Sequence, residues 1–168
     1  NIKKIISSLY KIKSPPGRIE KVILNQSEYE VYIDYAHTPD ALKRILLSKT
    51  IKNKKPDLVF GCGGDRYKEK RSMMGLIANK YAGNVYITDD NPRSEDASKI
   101  RKRILDNCKK GIEIPSRKEA INKAIEDLCK NNILLIAGKG HEKFQINNKS
   151  ISKFDDLEIA KSALKQKI

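Results

Sequence analysis

Residues 133–137 read Ile-Leu-Leu-Ile-Ala, five apolar side chains with no polar alternate. A strand with one wet face alternates apolar and polar residues, so an unbroken run is satisfied only where both faces are covered. Such a strand sits in the middle of a sheet packed between helices. Shorter strand patterns are expected at residues 31–35, 58–60, 84–88 and 112–114, with helical patterns between them. Regular alternation of strand and helix predicts right-handed crossovers and a mostly parallel α/β sheet with helices on both faces. In such a sheet every strand-to-helix loop opens at the same edge, where ligands bind.

The helix signals are local and chemical. Thr38-Pro39-Asp40 supplies an N-cap, a proline at the first helical position and an acid favoured by the helix dipole. Leu42, Ile45 and Leu46 then mark its buried face. Ser72 is expected to open the next helix, with Met74, Ile77, Ala78 and Tyr81 on one side. Ser94-Glu95-Asp96 caps a third, which buries Ile100, Ile104 and Cys108. Ser116 and Glu119 form a capping box before Ala120, Ile121, Ala124, Ile125 and Leu128. Residues 144–146 and 150–154 read as a C-terminal hairpin around Asn147-Asn148. Asp155 and Glu158 form a last capping box, with Phe154 and Ile159 at the hydrophobic-staple positions.

The chain has 168 residues, 39% of them hydrophobic, enough for one domain with a real core. It begins at Asn1 rather than Met, and residues 1–16 read as a helix end running into the breaker Ser14-Pro15-Pro16-Gly17. The expectation is a piece of a longer protein. No apolar run approaches 18 residues and no signal-peptide pattern is present. Cys62, Cys108 and Cys129 are too scattered for a disulfide framework or a zinc knuckle, which suits a reducing cytosol. The net charge of +14 admits nucleic-acid binding. The lysines are dispersed, however, without a basic block or interleaved aromatics, and a solvated surface is the simpler reading.

Four of the strand-end loops carry the chemistry: residues 34–40, 61–66, 89–93 and 138–142. Asp90-Asn91-Pro92-Arg93 cannot be explained by packing. Pro92 stiffens the turn, Arg93 offers a planar fork for a carboxylate or phosphate, and Asp90 sets the opposite charge beside it. The glycines at 61, 63 and 64 permit close backbone approach to an anion. Neither this loop nor Gly138-Lys139-Gly140-His141 has Walker A spacing, and neither is a Rossmann fingerprint. Arg66, Lys68, Lys70 and Arg71 crowd the second loop, with Arg66 the best candidate for a ligand contact. Asp90 and Glu142 against Arg66 and Arg93 suit a ligand that bears both ammonium and carboxylate groups, unless the charges simply pair with each other. Asp34 and His37 at i, i+3 are half a metal site at most, and a capping or nucleotide contact suits His37 better. Cys62 is a conceivable nucleophile, its pKa lowered by the basic loop, with His141 as base, but nothing in the sequence joins the two.

These loops resemble a known family. Asp34-Tyr35-Ala36-His37-Thr38-Pro39-Asp40-Ala41-Leu42 is similar to the opening motif of the C-terminal domain of Mur ligases, which related amide ligases such as cyanophycin synthetase share. Phe60-Gly61-Cys62-Gly63-Gly64-Asp65-Arg66, Lys70-Arg71, Asp90 to Arg93 with Ser94-Glu95-Asp96, and Ala137-Gly138-Lys139-Gly140-His141-Glu142 narrow the likeness. They resemble the branch of UDP-N-acetylmuramoyl-tripeptide synthetases that adds meso-diaminopimelate. Gly17-Arg18-Ile19-Glu20 is similar to that family's junction between central and C-terminal domains.

The resemblance implies a Rossmann-like fold and a division at residue 17. Residues 1–16 would end a central ATPase domain and its linker, and 17–168 would be the amino-acid-binding domain. The whole enzyme would use ATP and Mg²⁺, held mainly by the central domain, to phosphorylate the D-glutamyl carboxylate of UDP-MurNAc-L-Ala-D-Glu. The amino group of the diamino acid would then attack the acyl phosphate. Arg66, Asp90, Asn91, Pro92, Arg93, Gly138 and Glu142 would bind diaminopimelate. Arg93 would take the carboxylate that lysine lacks, and Glu142 the distal ammonium. Asp34, Tyr35 and His37 would lie near the nucleotide, and no catalytic or metal-binding residue would fall in this stretch. The resemblance further implies a monomer in the bacterial cytoplasm, without membrane or nucleic-acid partners. Alone, the stretch would not ligate, and it would bind its amino acid weakly for want of pre-organisation. Tyr67 departs from the family pattern, which expects an acid there. A lysine-adding relative, a basic nucleic-acid module and a scaffold that merely keeps the fold remain the alternatives.

Overall fold

The computed structural model describes residues 2, 15–24, 28–49, 54–148 and 150–168. The helix end and linker expected over 1–16 fall mostly outside these residues. A six-stranded sheet runs in the order β1-β2-β6-β3-β4-β5, formed by β1 (Glu20–Lys21), β2 (Glu30–Asp34), β3 (Asp57–Phe60), β4 (Val85–Ile87), β5 (Gly111–Glu113) and β6 (Ile133–Ala137). All its pairings are parallel except that of β1, an antiparallel edge strand with no sequence signal of its own. The C-terminal hairpin is β7 (Phe144–Asn147) with β8 (Ser150–Lys153). Strands start or stop one residue from the positions expected, which is ordinary fraying at strand ends.

Among the described residues five helices cover the sheet: α1 (Pro39–Ser48), α2 (Lys70–Tyr81), α3 (Ala97–Leu105), α4 (Arg117–Asp127) and α5 (Asp156–Lys167). The period-2 alternation of strand side chains sorts the core into two layers. Leu58, Phe60, Leu135 and Ala137 meet α1, α2 and α3 through Leu42, Leu46, Met74, Ala78, Ile100 and Ile104. Val59, Leu134 and Ile136 point the other way, onto Ala120, Ile121 and Ile125 of α4 and Ala160 and Leu164 of α5. All five residues of β6 are buried, as a doubly covered central strand requires.

The caps follow the sequence with one exception. Thr38, Asp96, Ser116 and Asp155 each accept a backbone N–H from their own helix. Ser72, expected to open α2, instead lies inside its first turn. Glu69 occupies the cap with helical backbone angles and no side-chain bond. The turn has already begun upstream, where Arg71 N donates to Lys68 O at 3.2 Å, so Ser72 arrives too late to cap it. No described helix is long and apolar enough to cross a membrane.

The site follows from strand order. The chain steps outward from β3 to β5 with helices on one face, then returns through α4 on the other to insert β6 between β2 and β3. A reversal of this kind opens a crevice at the carboxyl edge. Here it makes β2, β6, β3 and β4 neighbours, so the four polar loops stand side by side.

Candidate functional site

The four loops line one cavity of about 660 Å³, within the usual range for a small-molecule site. Tyr35 and His37 come from the loop after β2, Gly61, Cys62, Gly63 and Arg66 from that after β3, Asp90, Asn91 and Arg93 from that after β4, and Gly138 and Glu142 from that after β6. Eight of the ten candidate residues are therefore brought together. Pro92 and Asp34 do not reach the wall. The Asp34 carboxylate is occupied below it, accepting from Ile19 N and Ala36 N at 2.8 Å each.

The charged lining is balanced. Arg66, Lys70 and Arg93 stand against Asp40, Asp90 and Glu142. Among the described residues Arg66, Arg93 and Asp90 form no ion pair, so the acids and arginines of the wall do not cancel each other. Arg93 is held with φ at +53°, a strained choice for a residue with a side chain. Its Nη1 donates to Gly64 O at 2.8 Å and to Asn91 O at 3.4 Å. Its other two guanidinium nitrogens have no hydrogen-bond partner among the described residues.

What imposes this backbone is the hairpin. Arg93 N donates to Ile146 O at 3.2 Å and Asn148 N to Arg93 O at 2.6 Å. Gln145 Nε2 donates to Asp90 O at 2.8 Å, and Ile146 N to the Asn91 side chain at 2.9 Å. The sequence shows the hairpin but carries no sign that it clasps this loop, because the contact spans more than fifty residues. Two further braces fix the same loop. Gly64 passes so close that a Cβ there would lie 1.8 Å from Pro92 O. Glu95 receives both Nη atoms of Arg71 at 2.8–3.0 Å and Asp65 N at 2.6 Å. The Arg71 bonds hold the Glu95 carboxyl at about 2, well below the usual range. Arg71 is thus a buried strut rather than part of a solvated basic turn.

Three expectations shift. Asn91 is only 3% exposed, and its amide is used within the protein: Oδ1 accepts from Ile146 N and Lys139 Nζ, and Nδ2 donates to Glu142 Oε2 at 2.8 Å. His37 does not cap α1, a task Thr38 performs. Its Nδ1 sits 2.8 Å from Tyr35 O, and its ring packs edge-on against Tyr35. Cys62 is buried beside Met74, and desolvation pushes its thiol up to about 12 rather than down. The basic loop does not outweigh burial, and His141 packs on Tyr35, so nothing here activates a thiol.

Arg18 lies 4.7 Å over the Tyr35 ring, so Tyr35, His37, His141 and Arg18 make a ring-rich rim. Planar faces and one cation fit a nucleotide base and its phosphates. Among the described residues no cluster of three or more His, Cys, Asp or Glu is placed to hold a metal ion.

An open, mainly parallel α/β sheet with a charge-balanced cavity at a strand-order reversal defines a ligand-binding domain of the Rossmann-like class. Residues 17–140 match the model of the Mur ligase, glutamate ligase domain, and the chain belongs to this Mur ligase C-terminal domain family. A UDP-N-acetylmuramoyl-L-alanyl-D-glutamate–2,6-diaminopimelate ligase of Rickettsia bellii is 49% identical over 162 residues, covering 94% of this chain and 33% of that protein. A protein of the same name from Prochlorococcus marinus is 42% identical over 99% of this chain and 34% of its own length. A solved structure of a ligase of that name superposes with a TM-score of 0.81 at 35% identity, over 99% of this chain and 35% of the other. A folylpolyglutamate synthase from Thermotoga maritima shares the fold alone, with a TM-score of 0.58 at 21% identity over 81% of this chain and 30% of its own. The chain spans about a third of the length of the curated relatives it matches.

Proposed function

We propose that this chain is the amino-acid-binding domain, over residues 17–168, of an ATP-dependent ligase that adds meso-diaminopimelate to UDP-MurNAc-L-Ala-D-Glu. The single observation that carries the reading is the cavity wall itself. Arg66 and Arg93, which form no ion pair among the described residues, line one space with Asp90, likewise without one, and the Glu142 carboxylate. A diamino dicarboxylic acid presents the complementary groups, and the names of the 42–49% identical relatives supply the same ligand.

Arg93 would take the distal carboxylate through the half of its fork not bound to Gly64, and Glu142 the distal ammonium. Arg66 would hold the second carboxylate, with Asp90 and the φ = +115° backbone of Gly138 closing the pocket. A Cβ at Gly138 would sit 2.8 Å from Asp90 Oδ2. The chain's own task is to seat the amino acid and exclude wrong ones. ATP and Mg²⁺, which would supply the acyl phosphate, would be held mainly by the remainder of the protein, with Tyr35 and His37 at the nucleotide rim. Asp34 would support that rim from beneath.

The test is ligation by the full-length protein, supplied with UDP-MurNAc-L-Ala-D-Glu, Mg²⁺ and ATP. Meso-diaminopimelate is expected to give tripeptide and ADP, with L-lysine far slower. Equal or faster turnover with lysine, or none with either, would overturn the reading.

A further inference from the structure

Lys139 is fully buried, yet no feature of its sequence position requires a charge. A lysine ammonium is strongly hydrated and costly to bury unless partners hold it. Its partners are the residues just assigned to the cavity. Nζ donates to Asn91 Oδ1 at 2.9 Å and lies 3.6 Å from Glu142 Oε2. Asn91 in turn donates to the same Glu142 oxygen at 2.8 Å. The Asn91 amide is fixed in this orientation because Ile146 N also needs Oδ1 as acceptor.

The charged groups around Nζ come from four elements. Asp90 lies on the loop after β4, Glu142 on the loop after β6, Arg117 on α4 and Asp156 on α5. Arg117 and Asp156 neutralise each other, with Nε–Oδ1 at 2.8 Å and Nη2–Oδ2 at 2.7 Å and neither side chain exposed. That leaves Lys139 as the one cation in this group facing two carboxylates, Asp90 and Glu142.

We propose that Lys139 is a positioning residue for the amino-acid substrate. It holds Asn91 and Glu142 in place from beneath the cavity, so that the Glu142 carboxylate stands where the substrate ammonium arrives. Burial and Arg117 push the Lys139 pKa down, while Asp90, Glu142 and Asp156 hold it up. The substrate ammonium and Lys139 would share the Glu142 carboxylate. The inference rests on the amino-acid reading of the cavity but not on which amino acid fills it.

The experiment uses the full-length protein with Lys139→Met and Lys139→Gln, read by steady-state kinetics with the amino acid and ATP varied in turn. Lys139→Met should raise the KM for meso-diaminopimelate about tenfold or more, with the KM for ATP within about twofold of wild type. The kcat at saturating substrates should stay within about twofold of wild type, so that the loss falls on amino-acid binding rather than on turnover. Lys139→Gln keeps a donor for Asn91 but no charge. It should recover part of the KM, and it tests the positioning role even if Lys139→Met does not fold. An amino-acid KM unchanged in Lys139→Gln would overturn the proposal. So would equal losses for amino acid and ATP in Lys139→Met. If the wild-type enzyme uses a different amino acid, the assignment of diaminopimelate fails, while the same variants still test Lys139 with that amino acid.

Discussion

Glu95 shows how a single residue can be read correctly as part of a motif and wrongly as to its task. In the sequence it stands in a helix cap, Ser94-Glu95-Asp96. In the fold only Asp96 caps, accepting from Ser98 N at 2.9 Å. Ser94 bonds Asp65, and Glu95 clamps Arg71 between two loops. No sequence rule links residues 71 and 95, because the pairing depends on β3 and β4 lying side by side. The Glu95 carboxyl is depressed to about 2 in the folded chain, chiefly by the Arg71 bonds. Its stabilising effect is therefore complete above the unfolded carboxyl's value, about 4.3, and is lost as pH falls toward 2. Glu95→Gln should lower stability at pH 7 by about 1–3 kcal/mol, since Arg71 keeps its burial and loses its counter-ion. Chemical denaturation of the variant and wild type should show the difference shrinking below pH 4.5 and nearly gone at pH 2. A pH-independent difference would mean that the pair is not the source.

At the scale of elements, most of the fold was legible because the signals are local. The caps at Thr38, Asp96, Ser116 and Asp155 and the unbroken run in β6 announce themselves within a few residues. Edge strand β1 did not, since two residues paired at a sheet margin carry no periodicity. The packing of α4 and α5 against the end of β6 was equally silent. Arg117 joins all three, bidentate to Asp156 and donating to Ala137 O at 3.0 Å. A lone arginine in a helix reads as solvated, and only the third dimension shows it fully enclosed. Replacing one partner, as in Arg117→Met, leaves Asp156 buried and unpaired and should cost about 3–5 kcal/mol. Arg117→Met with Asp156→Leu should recover much of that loss in urea unfolding, because no isolated charge remains. A double variant as unstable as the sum of both singles would show that the helices are held by shape rather than by the pair.

For the whole molecule, the sequence yields four polar loops at one edge, and the strand order decides which of them touch. Insertion of β6 between β2 and β3 carries residues 138–142 into the centre of the site, more than a hundred residues after the loop beside them. Alternating strand and helix predicts the edge but not this order, nor the hairpin that returns to hold Arg93 with its φ at +53°. On the proposed function, the unpaired half of that guanidinium is what should distinguish diaminopimelate from lysine, since only the former brings a carboxylate to meet it. A buried charge left unpaired costs on the order of 2–5 kcal/mol. The decisive measurement is the ratio of kcat/KM for meso-diaminopimelate over L-lysine in the full-length ligase, wild type and Arg93→Ala. Wild type should favour diaminopimelate by at least about a hundredfold, and the variant should lose most of that preference through diaminopimelate alone. A ratio unchanged by Arg93→Ala would contradict the role assigned to this loop.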